Sequence, residues 1–222
     1  MKNIIKYILP SPIKDLIKKI YYNKRKNITF SNKFNSFQEA LDFSKKTTSY
    51  LNESLDDKNI NEFLKSKDVE IDREEERFKL FINFAKKLNA DKLNILEIGG
   101  GNKPIFNFLK KYTNKQIFSY VLERNEIFEK YNNAISSEDK NNLIYIKNID
   151  EIEIKDFLIA YFGSSLQYLE NFEKINNIII ESNIKYVIIF DTIFNLFDYD
   201  FYSLQINMAP SIFPIKFLSL NN

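Results

Sequence analysis

The chain is predicted to be an α/β protein: an open, mostly parallel Rossmann-like sheet with helices on both faces, behind an N-terminal helical extension. Three observations predict this. From residue 93 onward, short apolar runs alternate with helical patterns, the signature of parallel strands joined by crossover helices. The first run ends in Gly99, Gly100 and Gly101, in a chain with only four glycines, where average usage would give about 15. Hydrophobic residues make up 44% and aromatic residues 15%, so 21 Phe and 13 Tyr can fill a real core.

Three regions follow from the pattern: a basic amphipathic arm (1–30), a helical extension (31–92) and the sheet domain (93–222). The arm carries eight Lys/Arg against Asp15. Ser11-Pro12 reads as a helix start. Ile13, Leu16, Ile17 and Ile20 then share a face that Lys14 and Lys18 avoid. Such a helix packs on the body with solvated lysines, or rests residues 1–24 on an anionic membrane. No apolar run approaches a membrane span. The segment Met1 to Pro10 is too short and interrupted for a signal peptide. A cytoplasmic protein is expected, at most peripheral to the inner face of the membrane. The rest of the chain holds 24 basic and 29 acidic residues, a net of −5, which disfavours a nucleic-acid-binding body.

In the extension, helical patterns fall near 36–46 and 58–66. Asp72 and Glu75 form a capping box opening a helix whose Phe78, Phe81, Ile82, Ala85 and Leu88 share one face. The run Glu74 to Glu76 is its solvated first turn. In the sheet domain, strands are expected at 93–98, 117–122, 143–147, 156–162 and 185–191. Helices are expected near 103–112, 125–133 and 171–183. The 31 residues after Asp191 read Phe-, Pro- and Asn-rich without a strand pattern, so the sheet is expected to be incomplete at its C-terminal side. Asn pairs at 132–133, 141–142 and 176–177 are taken as turns, because Asn tolerates the left-handed region.

The chain has no Cys and no His. That removes disulfides, thiolate and imidazole metal ligands, and the usual general base. No calcium-loop spacing appears, so no metal site is expected. A glycine turn between strand and helix brings backbone N–H groups to a ligand at a helix N-terminus. A dinucleotide fingerprint fails at Pro104, and the Gly-Lys-Ser/Thr of a phosphate loop is absent. Glu97, two residues before the first glycine, suits a ligand with a cationic amino group. Glu123 ends the second strand, 22 residues after Gly101, where a carboxylate accepts both ribose hydroxyls. Plainer roles stand beside these. Glu97 could cap N–H groups of its own loop, and Glu123 could be a surface acid. Gly163, Ser164 and Ser165 could cap the next helical segment. Tyr168 and Phe213 could be packed aromatics, and Asp191 a helix N-cap.

Glu97-x-Gly99-x-Gly101 followed by a strand ending in Glu123 resembles the class I S-adenosylmethionine-dependent methyltransferases. Lys103 stands where that pattern often has a third glycine. A narrower resemblance is to a methyltransferase family of bacterial surface-polysaccharide (O-antigen and capsule) gene clusters. It rests on Ser36-Phe37-Gln38-Glu39-Ala40, Gly99 to Gly101, Gly163-Ser164-Ser165-Leu166-Gln167-Tyr168-Leu169, and Gln205 with Pro210-Ser211-Ile212-Phe213-Pro214. The resemblance implies S-adenosylmethionine as cofactor, held by Glu97, Gly99, Gly100, Gly101, Glu123, Gly163 and Ser164. It implies methyl transfer to a hydroxyl or amine of a saccharide or related small-molecule acceptor, with Gln205 and Ser211 as candidate substrate contacts. Without His, the candidate bases are Asp191, Tyr168, Asp198 and Asp200. The rival reading is a non-catalytic scaffold that keeps the fold. An NAD-linked oxidoreductase is disfavoured by Pro104 and Glu97.

Overall fold

The computed structural model of the chain describes residues 29–46, 53–66, 76–124, 127–152, 156–170, 172–182, 184–206 and 212–220. In chain order the elements are β1 (Thr29–Phe34), α1 (Phe37–Lys45), α2 (Glu53–Ser66), α3 (Glu76–Lys87), β2 (Lys92–Ile98), α4 (Ile105–Tyr112), β3 (Gln116–Leu122), α5 (Phe128–Ala134), β4 (Leu143–Ile146), β5 (Ile159–Gly163), α6 (Phe172–Glu181), β6 (Tyr186–Phe190), β7 (Phe194–Asn195), β8 (Phe201–Ile206) and β9 (Ile212–Ser219). Short 3₁₀ turns lie at Ile149–Glu151 and Leu166–Tyr168. Two compact units result. One spans residues 53–194, and the other combines the described residues before 53 and after 194. The boundaries expected near residues 30 and 92 therefore do not coincide with those between the units. The basic arm with its membrane reading, the Asp72–Glu75 capping box and Ser211 lie outside the described residues. No helix among the described residues is long and apolar enough to cross a membrane.

The first unit is a five-stranded parallel sheet in the order β4-β3-β2-β5-β6. Its central strand reads as an apolar run because both its faces are covered: Leu93, Ile95, Leu96 and Ile98 are all buried. From β2 the chain steps to β3 and β4 on one side, then crosses to β5 and β6 on the other. Right-handed crossovers put α4 and α5 on one face and α6 on the opposite one. Ring contacts agree. Phe78 of α3 stacks on Phe108 of α4 at 4.1 Å, and Phe81 stacks on Tyr161 of β5 at 4.9 Å. Phe63 of α2 meets Tyr131 of α5 edge-on at 5.4 Å. On the other face Phe172 of α6 meets Phe162 at 6.0 Å. Each fully buried Phe contributes roughly 2–3 kcal/mol relative to exposure.

Two of the three Asn pairs are not turns. Asn132-Asn133 lies in α5 and Asn176-Asn177 in α6; only Asn141-Asn142 occupies a turn. The reason at Asn132 is specific. Its side-chain amide donates to the Tyr145 carbonyl at 2.8 Å and accepts the Tyr145 N–H at 2.9 Å. It imitates a neighbouring strand along the outer edge of β4.

The second unit is an antiparallel sheet in the order β1-β8-β9-β7. The expectation of no strands after Asp191 is corrected here: β8 and β9 form a hairpin, with Gln205 opposite Phe213 and Leu204 opposite Pro214. Pro214 hid the strand from a sequence reading. It is tolerated because, among the described residues, two-residue β7 leaves most of the outer edge of β9 without a ladder. The hairpin joins β1, placing Phe30 opposite Gln205. The parallel sheet itself stops at five strands among the described residues. Next to β1, Ser36 caps α1 by accepting the Glu39 N–H at 3.1 Å, and Ala40 is fully buried with Phe34 and Leu204. Capping and packing thus account for the Ser36 to Ala40 segment.

Candidate active site at the carboxyl edge of the parallel sheet

The carboxyl ends of β2, β3, β5 and β6 bring Glu97, Gly99 to Gly101, Glu123, Gly163, Ser164 and Asp191 to one rim. The order reverses between β2 and β5, where open α/β sheets leave a crevice. At this point Ser165 Oγ donates to the Ile98 carbonyl.

Glu97 is 1% exposed and sits beneath the start of α4. Pro104 precedes that helix without a capping side chain, so Glu97 takes over, accepting the Ile105 N–H at 3.0 and 3.2 Å. Burial pushes its carboxyl up to about 8, against the Ile105 hydrogen bond and the nearby Arg77 charge; the charge of Glu123 adds to the rise. The plainer role, capping within the loop, is therefore realised.

Each glycine answers to a different neighbour. A Cβ on Gly100 would come within 2.6 Å of the Glu97 carboxyl carbon and 2.9 Å of Val121. Gly99 has φ +69, and its Cβ would lie 2.7 Å from that of Ser165. A Cβ on Gly163 would meet the Tyr161 hydroxyl at 2.8 Å. Protein atoms explain these three. Gly101 differs: at φ +56 its Cβ would meet nothing closer than a Glu123 carboxylate oxygen at 4.0 Å.

That carboxylate is anchored from two sides. Glu123 Oε2 accepts the Gly101 N–H and Oε1 accepts the Arg124 N–H, each at 3.1 Å. The Tyr145 hydroxyl donates to the Gly101 carbonyl at 3.0 Å and fixes the loop from below. Burial holds that phenol well above its ordinary value, so it stays a donor. Just after the end of β4, Lys147 and Asn148 line an open cavity of about 430 Å³ together with Phe128 and Glu129.

At the other end of the rim, Ser164 and Asp191 adopt left-handed φ of +64 and +53. Arg77 of α3 donates to Ser164 Oγ at 2.9 Å and to Asp191 Oδ2 at 3.3 Å, and Ser164 Oγ donates to the same oxygen at 3.2 Å. Buried Gln167 donates to the carbonyls of Ser164 and Asp191 at 3.0 and 3.4 Å. Ser164 and Ser165 thus tie strand ends together instead of capping the following turn. Tyr168 is half-buried in that turn.

Not every candidate joins this rim. Gln205 is buried in β8 of the second unit. Asp198 and Asp200 belong to that unit too, and Asp200 is occupied by Lys216 at 2.6 Å and the Ser219 N–H at 2.7 Å. Sequence reading missed Arg77, Gln167 and Tyr145. Arg77 had a usable signal: it is one of four arginines among 32 basic residues, one turn before buried Phe81 on the margin of the apolar face. Tyr145 had none, being one aromatic in an apolar strand. Among the described residues no cluster of three or more acids is placed to hold a metal ion.

No protein-family model matches the chain, and no curated protein matches it. Solved structures with a similar fold include the YcgJ protein from Bacillus subtilis, at 10% identity over 54% of this chain and 52% of that one, with a TM-score of 0.40. Coclaurine N-methyltransferase, bound to N-methylheliamine and SAH, is similar at 13% identity over 77% of this chain and 54% of that one, with a TM-score of 0.35. The chain spans about half the length of each. At TM-scores this low the likenesses carry no argument about what the chain binds.

Proposed function

We propose that the carboxyl edge of the parallel sheet binds S-adenosylmethionine and that the protein transfers its methyl group to a small-molecule acceptor. One observation carries the reading: the Glu123 carboxylate is held at a strand end by the Gly101 N–H, and a Cβ on Gly101 would meet nothing nearer than that carboxylate at 4.0 Å. A carboxylate fixed at a strand end suits a vicinal diol, and a cavity that Phe128 and Asn148 help to line suits a base. Glu97 would answer a cationic amino group, since a nearby positive charge favours the ionised form of a buried acid. Bound there, the cofactor supplies a methyl group already activated by its sulfonium, so the protein's task is mostly positioning. Asp191 is the acid among the base candidates that lies on this rim; its Oδ1 would accept the acceptor's proton while Arg77 and Ser164 hold Oδ2 in place. A saccharide hydroxyl or amine as acceptor is carried by the sequence resemblance alone.

Calorimetric titration with S-adenosylmethionine tests the cradle. The wild type is expected to bind, and Glu123→Gln to bind about 30-fold more weakly, from the loss of about 2 kcal/mol of charge-assisted hydrogen bonding, with circular dichroism checking that the variant is folded. No heat from the wild type at concentrations on the order of millimolar would sink the reading. Binding without methyl transfer to any saccharide acceptor would favour the non-catalytic scaffold.

A further inference from the structure

The two edges of the parallel sheet are treated differently. The outer edge of β4 is sealed by the Asn132 amide, which satisfies both backbone groups of Tyr145. The outer edge of β6 has no strand partner among the described residues. Its inner groups are used: the Tyr186 N–H donates to the Leu158 carbonyl, and the Phe190 carbonyl accepts the Ser164 N–H. By the period of two, the N–H and C=O groups of Val187 and Ile189 point outward. Their side chains are 49% and 42% exposed, and Tyr186 is 38% exposed. A flat apolar edge without Lys or Pro inside it is a ready template for another strand.

The sequence of this edge says which strand. Read as Tyr186-Val187-Ile188-Ile189-Phe190, it is chemically self-complementary when reversed about Ile188. An antiparallel second copy in that register sets Ile188 against the partner's Ile188, and Val187 against the partner's Ile189. Tyr186 faces the partner's Phe190. The outward groups of Val187 and Ile189 then form closely spaced hydrogen-bonded pairs, as an antiparallel ladder requires. β-branched and aromatic pairs are among the combinations that stabilise cross-strand neighbours. Both copies use the same patch, so the contact closes after two chains instead of propagating. We propose that the protein forms a two-fold homodimer through antiparallel pairing of β6, continuing the parallel sheet across the two chains.

The absence of cysteine makes the register directly testable. In a non-hydrogen-bonded antiparallel pair, Cα atoms stand about 4.5 Å apart, within disulfide range. Ile188→Cys is therefore expected to cross-link to a disulfide dimer under mild oxidation, while Val187→Cys, which faces the partner's Ile189, is not. Light scattering across a dilution series is expected to show the 26.4 kDa chain doubling in mass as concentration rises. Val187→Pro, which removes an outward N–H of the edge strand without touching the inner ladder, should weaken the dimer about tenfold, and Val187→Thr should leave it intact. Circular dichroism confirms that each variant is folded. A single-chain mass at every concentration overturns the proposal. So does cross-linking as complete at position 187 as at 188, or a dimer indifferent to Val187→Pro.

Discussion

Two carboxyl groups show how differently the two sheets treat charge. Glu97, in the middle of the parallel sheet, has one backbone N–H to receive and almost no water, and burial raises it to about 8. Asp200, at the rim of the antiparallel sheet, is also pushed up by burial, yet the Lys216 ammonium and the Ser219 N–H outweigh that and hold it low. A sheet covered on both faces removes an acid from solvent and leaves it only backbone partners. A hairpin rim offers cross-strand side chains. The decisive factor is therefore whether a counter-charge can reach the group, more than how deeply it is placed.

The largest expected effect breaks the first half of this contrast. Glu97 is raised on folding, so its favourable contribution is complete below its unfolded value near 4.5 and is lost as pH climbs to about 8. The full swing is on the order of 5 kcal/mol as an upper bound. Glu97→Gln cannot ionise, so its stability should stay flat over that window. Chemical denaturation should find the variant more stable than wild type at alkaline pH and not at acid pH. A wild-type curve equally flat there would mean that Glu97 titrates as an ordinary acid.

A second test concerns how tightly the loop is packed against the chain's own atoms. Gly99→Ala combines positive φ with a 2.7 Å approach to Ser165 and should cost about 3 kcal/mol. Gly101→Ala has open space before it and should cost only the backbone term, about 1 kcal/mol. Thermal melts that rank the two the other way would show that Ser165 yields easily.

The smallest effect belongs to the rim of the hairpin. Asp200→Asn should cost about 1 kcal/mol at neutral pH, since its partly exposed ion pair is screened. Asp200 is depressed on folding, so its contribution is present above the usual carboxylate range and lost as pH falls through it. The difference between wild type and variant should therefore close in acid, as read from urea midpoints.

The parallel sheet was largely legible. Expected strands at 93–98 and 117–122 differ from β2 and β3 by one residue at the start, because apolar runs bounded by turns encode such strands locally. The hairpin was not legible. Pro214 argued against a strand, and only the open edge of β9 explains why it is tolerated. The turn role given to Asn132 failed because its amide serves β4, 13 residues away, instead of its own backbone.

By itself, the sequence determined the strand–helix alternation, the glycine turn after β2, and the acids Glu97 and Glu123 at strand ends. Each depends on a period or spacing of a few residues. Only the tertiary structure decided that Glu97 caps α4, that Arg77 reaches Asp191 across 114 positions, and that β1 pairs with β8. The physical reason is that a polar group's partner is set by which distant segments the packed core brings within hydrogen-bond range, and no local pattern carries that information.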